Sequence, residues 1–152
     1  MSNVEATSEI AAIIYRYSTA MDTRRWHLMD EVFTSGAIGD LGGLVCNGRG
    51  ETVRFIRAAI ECCERTHHMN SNIEAVVTGS SARVSSRFSA WHTGRDKTRD
   101  EVFLALGAYT DDFVRAEQGW RIARREERTQ IEVWLDGSRK RDLTEFFAAA
   151  FA

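Results

Sequence analysis

Apolar positions recur at helical spacing near the start of the chain and give way later to a strand pattern. Ile10, Ile13, Ile14, Tyr17 and Met21 share one face of a helix over Ser8 to Met21. Trp26, Met29, Val32 and Phe33 form a second buried stripe over Arg24 to Phe33, with Asp22 or Thr23 placed to cap it. The glycine-rich stretch Thr34 to Gly50 predicts two short extended pieces, Ala37–Leu41 and Leu44–Cys46. Gly50-Glu51 opens a third helix, with Val53, Ile56, Ile60 and Cys63 at helical spacing. Thr66 to Val77, Ala82 to Thr93, Asp100 to Arg115 and Trp120 to Leu135 then read as strands, with turns at Gly79-Ser80 and Gln118-Gly119. A last amphipathic piece, Leu143 to Phe151, is expected to fold back over the sheet or reach a neighbouring subunit. Helices first and an antiparallel meander second make an α+β fold class.

Strand parity divides the candidate residues. Val84, Phe88, Ala90 and His92 share one face of the second long strand, so His92 stands on its apolar side. In the third, Val102, Leu104 and Leu106 oppose Phe103, Ala105 and Tyr109, and both faces are apolar. A strand covered on both sides in so small a chain predicts a homo-oligomer, a dimer or trimer formed through the sheet face. His67 and His68 are consecutive, so one alone points inward. Parity puts His67 with Met69, Ile73, Ala75 and Val77, and His68 with Asn70, Asn72 and Glu74. Plain alternation therefore selects His67.

Composition narrows the function classes. A chain of 152 residues with 43% hydrophobic and 28% charged residues fits one domain, residues 1–152, with a single sizeable core. Its net charge of −2 offers no electrostatic case for nucleic acid or an anionic membrane. No apolar run approaches the ~20 residues of a membrane span. Met1 to Thr7 lacks the basic start and apolar core of a signal peptide, and a cytoplasmic location is expected. Cys46, Cys62 and Cys63 read as reduced thiols. Without CxxC, HExxH or a glycine-rich phosphate loop, neither a metal nor a nucleotide cofactor is expected.

Asp22 closes the first helix, where the helix dipole disfavours a carboxylate by up to ~1 kcal/mol. If it faces a pocket, its pKa should rise toward the range of a general acid or base. A cap of the second helix explains the same residue. Asp111 and Asp112 are expected to pair with Arg121, Arg124 or Arg125 on the next strand. The cluster from Arg121 to Arg128, interleaved with Glu126 and Glu127, reads as a solvated, ion-paired strand end. His27 is a surface residue by this reading, and Tyr15 lies off the apolar stripe.

Three motifs are spread over nearly the whole chain: Tyr17…Met21-Asp22-Thr23-Arg24-Arg25-Trp26…Val32-Phe33, Thr66-His67-His68…Asn72, and Gly107-Ala108-Tyr109-Thr110-Asp111-Asp112-Phe113 followed by Gly119-Trp120-Arg121-Ile122-Ala123-Arg124-Arg125. Together they resemble the SnoaL-like branch of the nuclear transport factor 2-like superfamily. Within it they are most similar to the scytalone dehydratases and bile acid 7α-dehydratases. The resemblance implies a cone-shaped, strongly curved sheet around about three N-terminal helices, the cystatin-like roll, with a deep apolar pocket.

It also implies a cofactor-independent dehydratase, or a related isomerase or cyclase, for a small apolar cyclic substrate of steroid, polyketide or aromatic type. The family register selects His68 over His67, which a bulge or a polar pocket mouth would reconcile with parity. In this reading His68 carries the proton, Asp22 orients it or shares it, and Tyr17 donates to the substrate oxygen. His92 falls near a second family histidine, and a satisfied core histidine explains it equally. The alternative from another class is a non-catalytic structural or ligand-binding subunit, like the small subunits of ring-hydroxylating dioxygenases.

Overall fold

A computed structural model describes residues 3–95 and 101–136. Its elements in chain order are α1 (Asn3–Asp22), a 3₁₀ helix (Trp26–Glu31), β1 (Phe33–Leu41), β2 (Leu44–Asn47), α2 (Arg49–Glu61), β3 (Arg65–Thr78), β4 (Ser81–Thr93), β5 (Glu101–Ala116) and β6 (Gly119–Asp136). The expected piece Leu143 to Phe151 and the first residue of the third long strand, Asp100, lie outside the described residues. Among the described residues no helix is long and apolar enough to cross a membrane.

The strands form one six-stranded sheet in the order β2-β1-β6-β5-β4-β3. From β3 to β6 it is the expected antiparallel meander, and β1 joins parallel to β6. The sheet is curved, and its concave side receives the helices: α1 packs against β3 and β6, and α2 against β1 and β2. The stripe Ile10, Ile13, Ile14, Tyr17 and Met21 is buried as the spacing required, against Phe33, Val84, Phe113, Trp120 and Ile122. The α+β class and the curved sheet against N-terminal helices are as expected.

Two expectations change in the first third of the chain. Arg24 to Phe33 is not an α-helix: it shortens to the 3₁₀ helix, and Phe33 begins β1. The physical reason is Arg24, whose φ of 58° breaks the helical path just after α1. Nor does Asp22 cap the 3₁₀ helix. That helix starts after Arg25 with no side-chain cap, and the Asp22 carboxylate turns to β3 instead.

Bulges decide which side chains face inward. β3 and β4 slip by one residue between Ser71 and Glu74, around Asn72 with φ 51°. Before the bulge Thr66, His68 and Asn70 are the partly buried set; after it, Ile73, Ala75 and Val77 are. Both sets therefore lie on the concave side, although in an unbroken strand they would oppose each other. Further slips in β5–β6, beside Leu106/Gly107 and Asp112/Phe113, reset the parity of β6.

Candidate functional site

The C-terminal end of α1 and the first half of β3 are fastened together by Asp22. Its Oδ1 accepts from the Thr66 hydroxyl at 2.9 Å and lies 2.6 Å from His68 Nδ1. Its Oδ2 accepts from the His68 backbone N–H at 2.8 Å. Arg24 directs this set, because one guanidinium nitrogen donates to Thr66 Oγ1 at 2.8 Å and to the Met21 carbonyl at 2.6 Å. Its other nitrogen donates to the carbonyls of Ile60 and Cys63 at the end of α2. Thr66 thus accepts from Arg24 and must donate to Asp22. A single left-handed arginine satisfies the carbonyl ends of two helices and fixes the direction of that bond.

Burial pushes the Asp22 pKa up, but the side-chain and backbone hydrogen bonds from His68, its charge and the Thr66 hydroxyl outweigh burial, and the net shift is downward. The sequence expectation of a raised Asp22 is therefore corrected: donors, not the pocket, set its ionisation. Asp22 is a carboxylate that accepts from His68 Nδ1–H, so in the neutral imidazole the lone pair is on Nε2.

The His68 side chain is only 6% exposed and Asp22 is 20% exposed. His68 borders two spaces. On one side is an apolar cavity of about 190 Å³, with Tyr17, Met21, Ile56, Ile60, Phe88 and Tyr109 among its walls. On the other is an open groove between α1 and β3, which Asp22, Tyr15, Thr19 and Thr23 also line. His67 borders the groove and not the cavity.

His92 shares the cavity. Its ring meets that of His68 edge-on, with centroids 5.3 Å apart, and stacks on Phe103 at 5.4 Å. His92 Nδ1 lies 3.3 Å from the Phe103 carbonyl, so that nitrogen donates and Nε2 accepts. Burial, then the charge of His68, lowers the His92 pKa, so the imidazole is neutral near pH 7. Beyond Ala59, His92 and Phe103 the cavity adjoins an outer chamber of about 380 Å³ bordered by Cys62, Cys63 and Trp134.

Tyr17 also lines the cavity, and behind it stands a feature that alternation concealed. Arg125 is fully buried and forms a two-pronged ion pair with the equally buried Asp111, at 2.8 and 2.6 Å. Its guanidinium lies 4.2 Å from the Tyr17 ring centre and 4.1 Å from that of Tyr109. Burial opposes the Arg125 charge, yet Asp111 outweighs it and the arginine pKa rises. Burial likewise raises Tyr17 and Tyr109, with Arg125 in opposition, so both stay phenols at neutral pH.

The expectation of a wholly solvated cluster from Arg121 to Arg128 is thus corrected at Arg125. The slip in β6 opposite Asp112/Phe113 turns Arg125 inward across from Asp111. Asp111 takes the third of its three expected partners, while Asp112 pairs with Arg83 on the preceding strand at 2.6 Å. Sequence reasoning also missed Tyr109 and Glu127 as cavity residues. Tyr17, His68 and His92 line one cavity, and Asp22 holds His68 from outside it. Among the described residues no cluster of His, Cys, Asp and Glu could hold a metal ion.

Residues 2–126 match the model of the SnoaL-like domain. An uncharacterised protein of Mycobacterium tuberculosis (strain H37Rv), Rv2910c, is 36% identical over 126 residues, which cover 78% of this chain and 82% of the relative. A structure from Novosphingobium aromaticivorans, provisionally assigned as a scytalone dehydratase, superposes with a TM-score of 0.79 at 22% identity, covering 86% of this chain and 88% of that one. The type 2 hexachlorocyclohexane dehydrochlorinase LinA gives a TM-score of 0.79 at 12% identity, covering 88% and 91%. At these identities the structural likeness is one of fold.

Proposed function

The chain belongs to the SnoaL-like domain family of the nuclear transport factor 2-like superfamily, and from that premise we propose that it is a cofactor-independent dehydratase, or a closely related isomerase, acting on a small apolar cyclic substrate. The observation that carries the reading is His68: a buried imidazole, fixed by a carboxylate on one nitrogen, presenting the other to an apolar cavity. Two of the structural relatives are named for eliminations, one of water and one of hydrogen chloride, which supports the same reaction class.

For a β-hydroxy ketone the proposed steps are these. His68 Nε2 removes the proton from the carbon beside the carbonyl, and Asp22 stabilises the imidazolium that forms. The electron pair moves onto the carbonyl oxygen, where the Tyr17 phenol donates to the developing enolate. His92, neutral and accepting at Nε2, takes the hydrogen bond of the departing hydroxyl and turns its oxygen toward His68. As the enolate re-forms the carbonyl, the C–O bond breaks, and the proton on His68 leaves with the hydroxyl as water. Such acid–base transfer is worth roughly 10²–10⁴-fold in rate. An isomerase would return the same proton to a different carbon.

The test is a panel of cyclic β-hydroxy ketones, followed by loss of the hydroxyl and gain of enone absorbance. Turnover by the wild-type protein that disappears in both Asp22→Asn and His68→Ala is expected. Turnover that survives both substitutions would reject the mechanism.

A further inference from the structure

The cavity wall contains one acidic side chain among the described residues. Glu127 on β6 lines the cavity together with Thr129. Two arginines of that strand are paired elsewhere: Arg125 with Asp111, and Arg128 with Asp40 and Glu126. Among the described residues no ion pair reaches Glu127. The Thr129 hydroxyl donates to its Oε1 at 2.7 Å. The backbone around it is held by the β1–β2 turn, where Gly42 N–H donates to the Glu127 carbonyl at 3.3 Å.

The register separates this acid from the histidines. His68 pairs with Ala90, and Ala90 with Ala105, whereas Glu127 pairs with Tyr109. Ala105 and Tyr109 are four residues apart on β5, so the two rows are separated by about 13 Å along the strands. A two-ring molecule has about the length to reach from one to the other. Glu127 is half-buried, so its carboxylate stands at the rim of the apolar wall, within reach of a ligand. Thr129 supplies one hydrogen bond, and a carboxylate has capacity for about four.

We propose that Glu127 accepts a hydrogen bond from a hydroxyl group at the end of the substrate remote from His68. The substrate class is then a cyclic ketol or ketone bearing a second, distal hydroxyl, such as a phenol, and ring carboxylates are excluded by like charge. This inference rests on the cavity being the substrate site, as proposed above.

Three probes on one two-ring ketone scaffold (tetralone) test it: one with a distal ring hydroxyl, one with methoxy and one with carboxylate at the same place. Binding is read by tryptophan fluorescence and by calorimetry. The wild-type protein should bind the hydroxyl probe about tenfold or more tightly than the methoxy probe, and the carboxylate least. Glu127→Gln should cut the hydroxyl preference and admit the carboxylate, and Glu127→Ala should abolish the preference. Near-ultraviolet circular dichroism shows whether each variant keeps its packed aromatic core. Equal binding of hydroxyl and methoxy probes, no binding of any probe, or a preference that persists in a folded Glu127→Ala protein would each overturn the proposal. His68→Ala should leave the preference intact. A protein that selects the hydroxyl probe but turns over no ketol rejects the dehydratase reading and leaves the role of Glu127 standing.

Discussion

Replacing Asp22 by asparagine keeps the shape of the side chain and removes one acceptor, and its effects can be worked through atom by atom. Three donors converge on the carboxylate: Thr66 Oγ1 at 2.9 Å, His68 Nδ1 at 2.6 Å and the His68 backbone N–H at 2.8 Å. With the asparagine oxygen at the Oδ1 position, the amide NH₂ confronts the His68 backbone N–H, donor against donor. With the oxygen at Oδ2, the NH₂ faces Nδ1, which must become the acceptor, and the ring proton moves to Nε2. The second arrangement costs less, and it removes the lone pair that faces the cavity.

Each hydrogen bond to a charged group contributes about 1.5–3 kcal/mol and each neutral one about 0.5–1.5, so three bonds lose about 3 kcal/mol. The partial exposure of Asp22 reduces this to about 2 kcal/mol. Urea unfolding measures that loss, and long-range proton–nitrogen NMR on the histidine rings reads the tautomer. Turnover of a ketol substrate should fall by about 10²–10⁴-fold. An Asp22→Asn protein in which His68 keeps its proton on Nδ1, or in which stability is unchanged, would refute the assignment of Asp22 as the group that sets the tautomer.

Three further outcomes are expected. Gly107→Ala should destabilise by about 2–3 kcal/mol in urea unfolding, because the added carbon would lie 2.3 Å from the Arg128 carbonyl oxygen and 2.5 Å from the Phe88 ring; an unchanged midpoint would mean that β6 yields at this point. His92, its pKa lowered by burial and by His68, with the Phe103 carbonyl and then Asp22 opposing and Arg24 reinforcing the shift, has a depressed value only in the folded state. Its contribution is complete above about pH 6.5 and is lost as pH falls through the folded value, so the unfolding midpoint should fall in that window for wild type and not for His92→Phe. The outward row Val102, Leu104 and Leu106, beside Trp91 and Ile131, is proposed to be covered by a second copy of the chain, since these positions are joined across β4, β5 and β6 by the sheet register. Leu104→Glu should then sediment as a monomer where wild type does not, and a monomeric wild type would reject the interface.

What the sequence disclosed and what it withheld depend on how each signal is carried. Helical spacing from Ile10 to Met21 and alternation in the four long strands rest on nearest-neighbour geometry, and they predicted the strands to within a residue at each described end and the close of α1, which begins at Asn3, five residues before the expected Ser8. Features that hinge on a single inserted residue were not legible by alternation. Asn72 is an amino acid that tolerates the left-handed conformation, yet nothing in the strand pattern required it to adopt one there. Its bulge is why His68, among polar neighbours, faces the same side as Ile73, Ala75 and Val77. The same logic hid Arg125, which reads as one member of a charged strand end until a slip turns it under Tyr17 and Tyr109. The family register, which incorporates such slips, selected His68 where parity selected His67. Arg24 escaped notice because its role lies in backbone carbonyls from two helices, and these leave no mark on the sequence.

His68 stands between an apolar cavity and the groove of α1 and β3, and Asp22 touches it from the groove side. The contact that fixes the His68 ring is therefore made from the groove, on the far side of the ring from the cavity. A ligand seated against Nε2 in the proposed site would leave the hydrogen bonds of Asp22 in place.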